Sequence, residues 1–236
     1  NVANMDHMFS EADNFNQDIS SWCVTNITSE PESFSINSPL IESNKPVWGT
    51  CLTPITNSNI HKAVNLWISD VSTATTTYGN ISDWDVSEVT NMSFLFFSKD
   101  SFNGDISSWN VRNVTDMNSM FNLSRDFNQD ISSWDVRNVT NMRYMFRDAG
   151  VFNQDISSWD VSNVTNMSYM FRDAGAFNQD ISGWCVTNIS EQPNNFSINS
   201  SLIDEYKPVW GSCPEASLDL SFSNVSDIPE KISLLT

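Results

Sequence analysis

Cations are scarce in this chain. Its 236 residues include 11 Lys and Arg against 29 Asp and Glu, a formal charge of −18. Nucleic-acid binding rests on Lys and Arg set against phosphates, so the balance argues against that class of function. His7 and His61 are the only two histidines, too few to complete repeated zinc sites. Glycine is also sparse, at 7 residues, and none of it forms a glycine-rich calcium loop. The longest apolar run lies around Phe94, Leu95, Phe96 and Phe97, far short of the roughly 20 residues a membrane helix needs. The sequence opens on neither an initiator Met nor a charged-then-apolar leader, and is expected to be a processed or partial chain.

What is present is enough apolar material for a core, 39% of residues, arranged with strict regularity. Trp84, Trp109, Trp134, Trp159 and Trp184 are spaced by 25 residues, and Trp22 stands in the same context. Within one unit, Trp159 and Val161 share a parity, so Ser158–Ser162 reads as a short strand with Asp160 outward. Met167, Met170, Phe171 and Ala174 fall at helical spacing, with Thr165 and Asn166 before them and Gly175 after, which predicts a helix of about two turns. Neither piece alone could bury a Trp, two Met and two Phe. The expected fold class is therefore an α/β repeat solenoid, stacked coils of strand plus helix with identical side chains in columns.

A larger duplication lies above this period. Residues 1–51 align with 163–213 without a gap, with 33 identities in 51 positions. The domain reading follows from it. Residues 1–51 form the end of a first module, 52–80 an entry segment with a helix over 58–70, and 81–189 the repeat array. Residues 190–213 form a stapled cap, and 214–236 open a further β-rich domain or linker, since Leu218, Leu220 and Phe222 alternate there.

The unit Phe-Asn-Gln-Asp-Ile-Ser-Ser-Trp-Asp-Val-Ser-Asn-Val-Thr-Asn-Met-Ser-Tyr-Met-Phe, at 152–171, resembles the repeats of BspA-like, leucine-rich-repeat-related surface proteins. The resemblance covers roughly 1–28 and 77–190. It implies right-handed leucine-rich-repeat-like coils in secreted or surface-attached proteins that adhere or assemble, with no shared catalytic residues to carry over.

The four cysteines fit the duplication. Cys23 and Cys51 lie 28 residues apart, as do Cys185 and Cys213, so one bridge is expected at the end of each module, in an oxidising compartment. Asp105, Asp130, Asp155 and Asp180 form a column with Asp18. Two readings stay open for it: each carboxylate caps backbone amides of its own turn, or calcium bridges neighbours. Calcium is the one cofactor entertained. Twelve Asn-x-Ser/Thr sequons occur, and Asn80, Asn91, Asn122, Asn195, Asn199 and Asn224 are the glycosylation candidates. Asn26, Asn113, Asn138, Asn163 and Asn188 instead follow a column Trp, where a turn ladder would itself favour Asn.

The outward strand positions, Asp85, Asn110, Arg112, Asp135, Arg137 and Asp160, form the candidate contact face. The expected function is an extracellular or cell-surface structural or adhesive repeat protein, part of a longer array. Its partners would be other copies, other surface proteins or glycans, with no nucleic acid and no membrane insertion. A calcium- or glycan-binding recognition module is the alternative. A carbohydrate hydrolase would need its paired carboxylates at one place that breaks the repeat, whereas here they recur in every unit, so the chain is not read as an enzyme.

Overall fold

The computed structural model describes residues 2–214. Pro214 aside, the continuation expected over 214–236, with its sequon Asn224, lies outside the described residues. Helix α1 spans Ile60–Ser69 and α2 spans Val71–Tyr78. Asp70 separates them: its backbone leaves helical geometry, and its carboxylate accepts from the Thr73 amide at 3.0 Å, capping α2. Gly79, at φ 84°, ends α2. α1 buries Ile60, Ala63 and Val64 completely. The Trp67 and Tyr78 rings meet Trp84 edge-on at 6.1 and 5.9 Å, so the helices cover the first layer of the repeat.

The repeat itself is not an α/β solenoid. Among the described residues there are no strands and no helices besides α1, α2 and three single 3-10 turns, and the only β-type pairing between units is isolated parallel bridges at Asn91, Asp116, Asn141 and Asn166. The leucine-rich-repeat reading falls with the strand and helix it required. Each 25-residue unit is instead a closed series of turns, forming one layer of a stack.

The layer around Trp134 shows how. Trp134 N donates to Ile131 O, Val139 N to Val136 O, Met145 N to Met142 O, Arg147 N to Tyr144 O and Ala149 N to Phe146 O, all within 2.9–3.2 Å. These are linked i to i+3 turns. The alternate amides of Met142, Tyr144, Phe146 and Asp148 donate to the next layer, to Asn166 O, Ser168 O, Met170 O and Arg172 O, at 2.9–3.0 Å. A helix would send both sets to residues four back in the same segment. Linked turns need left-handed residues, and these recur in register: Phe94, Ser119, Tyr144 and Tyr169 at φ 56–63°, and Ser98, Leu123, Asp148 and Asp173 at φ 55–64°. Left-handed backbone is unfavourable for such residues, and the amide of each of these eight donates to the following layer.

The expected strand at Ser158–Ser162 fails for a related reason. Trp159 N closes a turn on Ile156 O at 3.1 Å, and the next turn closes from Val164 N to Val161 O at 2.9 Å. Side chains tie this segment to its neighbour where a sheet would use amides. Trp159 Nε1 donates to Ile131 O at 3.1 Å, Ser158 Oγ to Ser132 O at 3.2 Å and Asn163 Nδ2 to Arg137 O at 2.8 Å. On the Phe-Asn-Gln segment, Asn178 N donates to Asn153 Oδ1, and Gln179 Nε2 to Asn153 O, both at 3.0 Å.

Inward side chains form continuous columns. Phe96, Phe121, Phe146 and Phe171 stack with centroids 5.3–5.7 Å apart and planes within 5°. Phe102, Phe127, Phe152 and Phe177 form a parallel column at 5.9–6.0 Å. The column tryptophans from Trp84 to Trp184 are at most 4% exposed. Trp22 is 36% exposed where its counterpart Trp184 is 1%: Trp184 lies under the preceding layer, and no described layer lies over Trp22. The duplicated units otherwise repeat their bonding, with Phe9 N to Phe34 O and Phe171 N to Phe196 O each at 2.8 Å.

Candidate functional site

The outward positions next to the column tryptophans are occupied first by turn closure. Asp85 Oδ1 accepts from Ser87 N at 3.0 Å, Asn110 Oδ1 from Arg112 N at 3.3 Å, and Asp160 Oδ1 from Ser162 N at 3.1 Å. Asp135 Oδ1 accepts from Arg137 N at 3.4 Å and from Arg137 Nε at 2.7 Å. Each is an Asx turn, a short polar side chain closing on the amide two residues on. Hydrogen bonds from the Ser87 and Ser162 hydroxyls, then their amides, hold Asp85 and Asp160 below the ordinary carboxylate range. Arg112 and Arg137 are exposed. Arg137 is tied to Asp135, while no ion pair among the described residues holds Arg112.

The aspartate column uses the same device. Asp105, Asp130, Asp155 and Asp180 accept from the amides of Ser107, Ser132, Ser157 and Ser182 at 2.9–3.0 Å. Asp18 accepts from Ser20 N at 2.8 Å. Amide then hydroxyl lowers the pKa of Asp105 and Asp130; hydroxyl then amide lowers that of Asp155 and Asp180. Repulsion from Asp130 works against this at Asp155. The geometry is that of turn caps, and among the described residues no three His, Cys, Asp or Glu side chains gather as metal ligands.

Cys23 is bonded to Cys51, and Cys185 to Cys213. Cys185 holds the position that Asp160 holds one layer earlier, so the segment returning from 190 is fixed across the last layer. Beside each bridge a backbone bond adds to the closure: Val24 N to Thr50 O at 2.9 Å, and Val186 N to Ser212 O at 2.8 Å.

The sequons divide by structure. Asn80, Asn91 and Asn195 are exposed, and none donates its side-chain Nδ2 to a described partner. Asn199 is exposed but gives its Nδ2 to Asp173 at 2.8 Å. Asn122 is 6% exposed, with its Oδ1 buried and unpartnered, so the folded chain withholds that side chain from a modifying enzyme. Asn113, Asn138, Asn163 and Asn188 donate their Nδ2 to carbonyls of the preceding layer at 2.7–2.9 Å.

A cluster missed by the sequence reading lies on the linked turns. Tyr144 and Tyr169 stack 4.8 Å apart, and the Arg143 guanidinium lies 4.6 Å over the Tyr144 ring. Arg147 and Arg172 flank them. Its signal in the sequence is variation: framework columns repeat from layer to layer, whereas the Tyr144 column runs Phe94, Ser119, Tyr144, Tyr169.

No helix among the described residues is long and apolar enough to cross a membrane. Comparison with curated proteins and with solved structures finds no match. A family model described as a Mycoplasma protein of unknown function, DUF285, matches residues 1–50, 64–184 and 112–210, and the chain belongs to that family.

Proposed function

We propose that the chain is an extracellular or cell-surface repeat protein that works by contact rather than by catalysis, holding other copies, other surface proteins or glycans. The observation that carries this reading is the pair of disulfides that closes the two duplicated ends, a device of oxidising compartments. Between them lies an exposed face repeated in every layer, and its carboxylates are committed to closing turns rather than gathered at one reactive place. The likeness of the repeat to BspA-like surface proteins supports the same conclusion, and Arg112 and Arg137 are the cations on that face able to meet acidic groups of a neighbouring copy.

Sedimentation of the wild-type chain beside the Arg112→Glu/Arg137→Glu variant tests it. Both side chains are exposed and Arg137 holds only the exposed pair with Asp135, so folding stability should fall by no more than about 1 kcal/mol, while self-association is lost. Unchanged association rejects this face, and a hydrolytic activity removed by a single Asp change overturns the contact reading.

A further inference from the structure

We infer that the Arg143, Tyr144, Arg147, Tyr169 and Arg172 cluster, with the exposed phenylalanines two layers away, is a second contact surface whose partner is an extended protein segment pairing a bulky apolar side chain with carboxylates; this rests on reading the chain as a contact protein. Three of the six arginines of an acidic chain gather here, around two tyrosines stacked at 4.8 Å. Arg147 and Arg172 turn their Nε toward Asp148 and Asp173 at 3.2 and 3.0 Å. No described residue takes their terminal amino groups, the edges that grip a carboxylate. Arg143 donates from Nη2 to the Tyr144 hydroxyl at 3.0 Å and has no carboxylate partner among the described residues.

The same columns continue to Phe94 and Phe97, which are 49% and 39% exposed and meet at 5.7 Å. The layer between them and the tyrosines carries Ser119 and Asn122 at these positions, both buried. A ridge of cations and tyrosines therefore ends in an apolar knob across a low point. Layer steps of 5.3 and 5.6 Å, read from Phe96, Phe121 and Phe146, put the knob about 11 Å from Arg147. That is three to four residues of extended peptide at roughly 3.3 Å each. A partner with its apolar residue and its carboxylates at that spacing would fill both ends, and Tyr and Arg are the residue types that dominate contact energies.

The framework elsewhere is consumed by bonds between layers, while this surface changes from layer to layer, which is where a repeat protein can encode a partner. The test is selection from a random-peptide display library on the immobilised full chain. Enriched peptides should carry a bulky apolar residue three or four positions from Asp or Glu. They should bind the Tyr144→Ser/Arg147→Asn variant at least about tenfold more weakly. Both replacements stand at the equivalent positions one layer earlier, Ser119 and Asn122, and an unchanged melting curve verifies the fold; Arg143→Ser, matching Ser168, gives a second reading from an exposed side chain. Failure to enrich any peptide overturns the inference, as does equal binding by these variants. Self-association lost in Tyr144→Ser/Arg147→Asn would assign the surface to a second copy and also overturn it. If the Arg112→Glu/Arg137→Glu variant still loses self-association while peptides ignore the tyrosine cluster, the contact reading stands and this surface alone drops out.

Discussion

The indole nitrogen of Trp134 donates to the carbonyl of Ile106, in the preceding layer, at 3.1 Å. Trp109, Trp159 and Trp184 make the same bond to Ile81, Ile131 and Ile156 at 2.8–3.1 Å. The side chain that fills the core also ties one layer to the next, which explains why Trp rather than Phe repeats at this position.

Trp134→Ala should cost roughly 3 to 5 kcal/mol, the usual penalty for truncating a buried indole. Trp134→Phe keeps most of the apolar volume and removes the donor, while Ile106 O retains the Trp109 amide at 3.2 Å. Its cost should be smaller, about 1 to 2 kcal/mol. Urea unfolding of the two variants measures both, and a Trp134→Phe variant as stable as wild type would show that the bond between layers contributes nothing.

Removing the Cys185–Cys213 bridge, which spans 28 residues, should destabilise the chain by on the order of 3 kcal/mol through loop entropy. Cys185→Ser/Cys213→Ser tests this by denaturant unfolding. A variant as stable as wild type would mean that the end layer holds without its staple.

Acid should weaken the turns capped by Asp105, Asp130, Asp155 and Asp180. Their folded pKa values are lowered, so the stabilisation is complete above the unfolded carboxylate pKa of about 3.9. It is lost as pH falls from there through the lowered folded values. Changing all four to Asn keeps an acceptor and removes the titration. The stability difference between wild type and this variant should be constant from pH 7 to about 5 and shrink below pH 4; a difference that persists at pH 2.5 would place the linkage in other groups.

The period, the buried columns and the pairing of cysteines by spacing could be read from residues, because a 25-residue repeat superimposes like side chains whatever the local backbone. The local backbone could not. Met142, Met145, Phe146 and Ala149 point inward at intervals of three and four, the spacing of a helix, and linked turns place residues inward at the same intervals. What separates the two is where the Tyr144 and Phe146 amides go, and they go to Ser168 and Met170 in the next layer, a destination that carries no local mark. Trp159 and Val161 share a parity as in a strand, but Trp159, Ser158 and Asn163 link the layers through side chains.

Ser98 decides between turns and helix most directly. It is exposed, and its φ is 57°, with its amide given to Asn122 O at 2.9 Å. The measurement is the unfolding free energy of Ser98→Gly against Ser98→Ala. Linked turns require a left-handed residue here, so Gly should be more stable than Ala by about 1 kcal/mol. A helix would reverse the order, with Ala ahead by about 1 kcal/mol, and that result would contradict the layered-turn account.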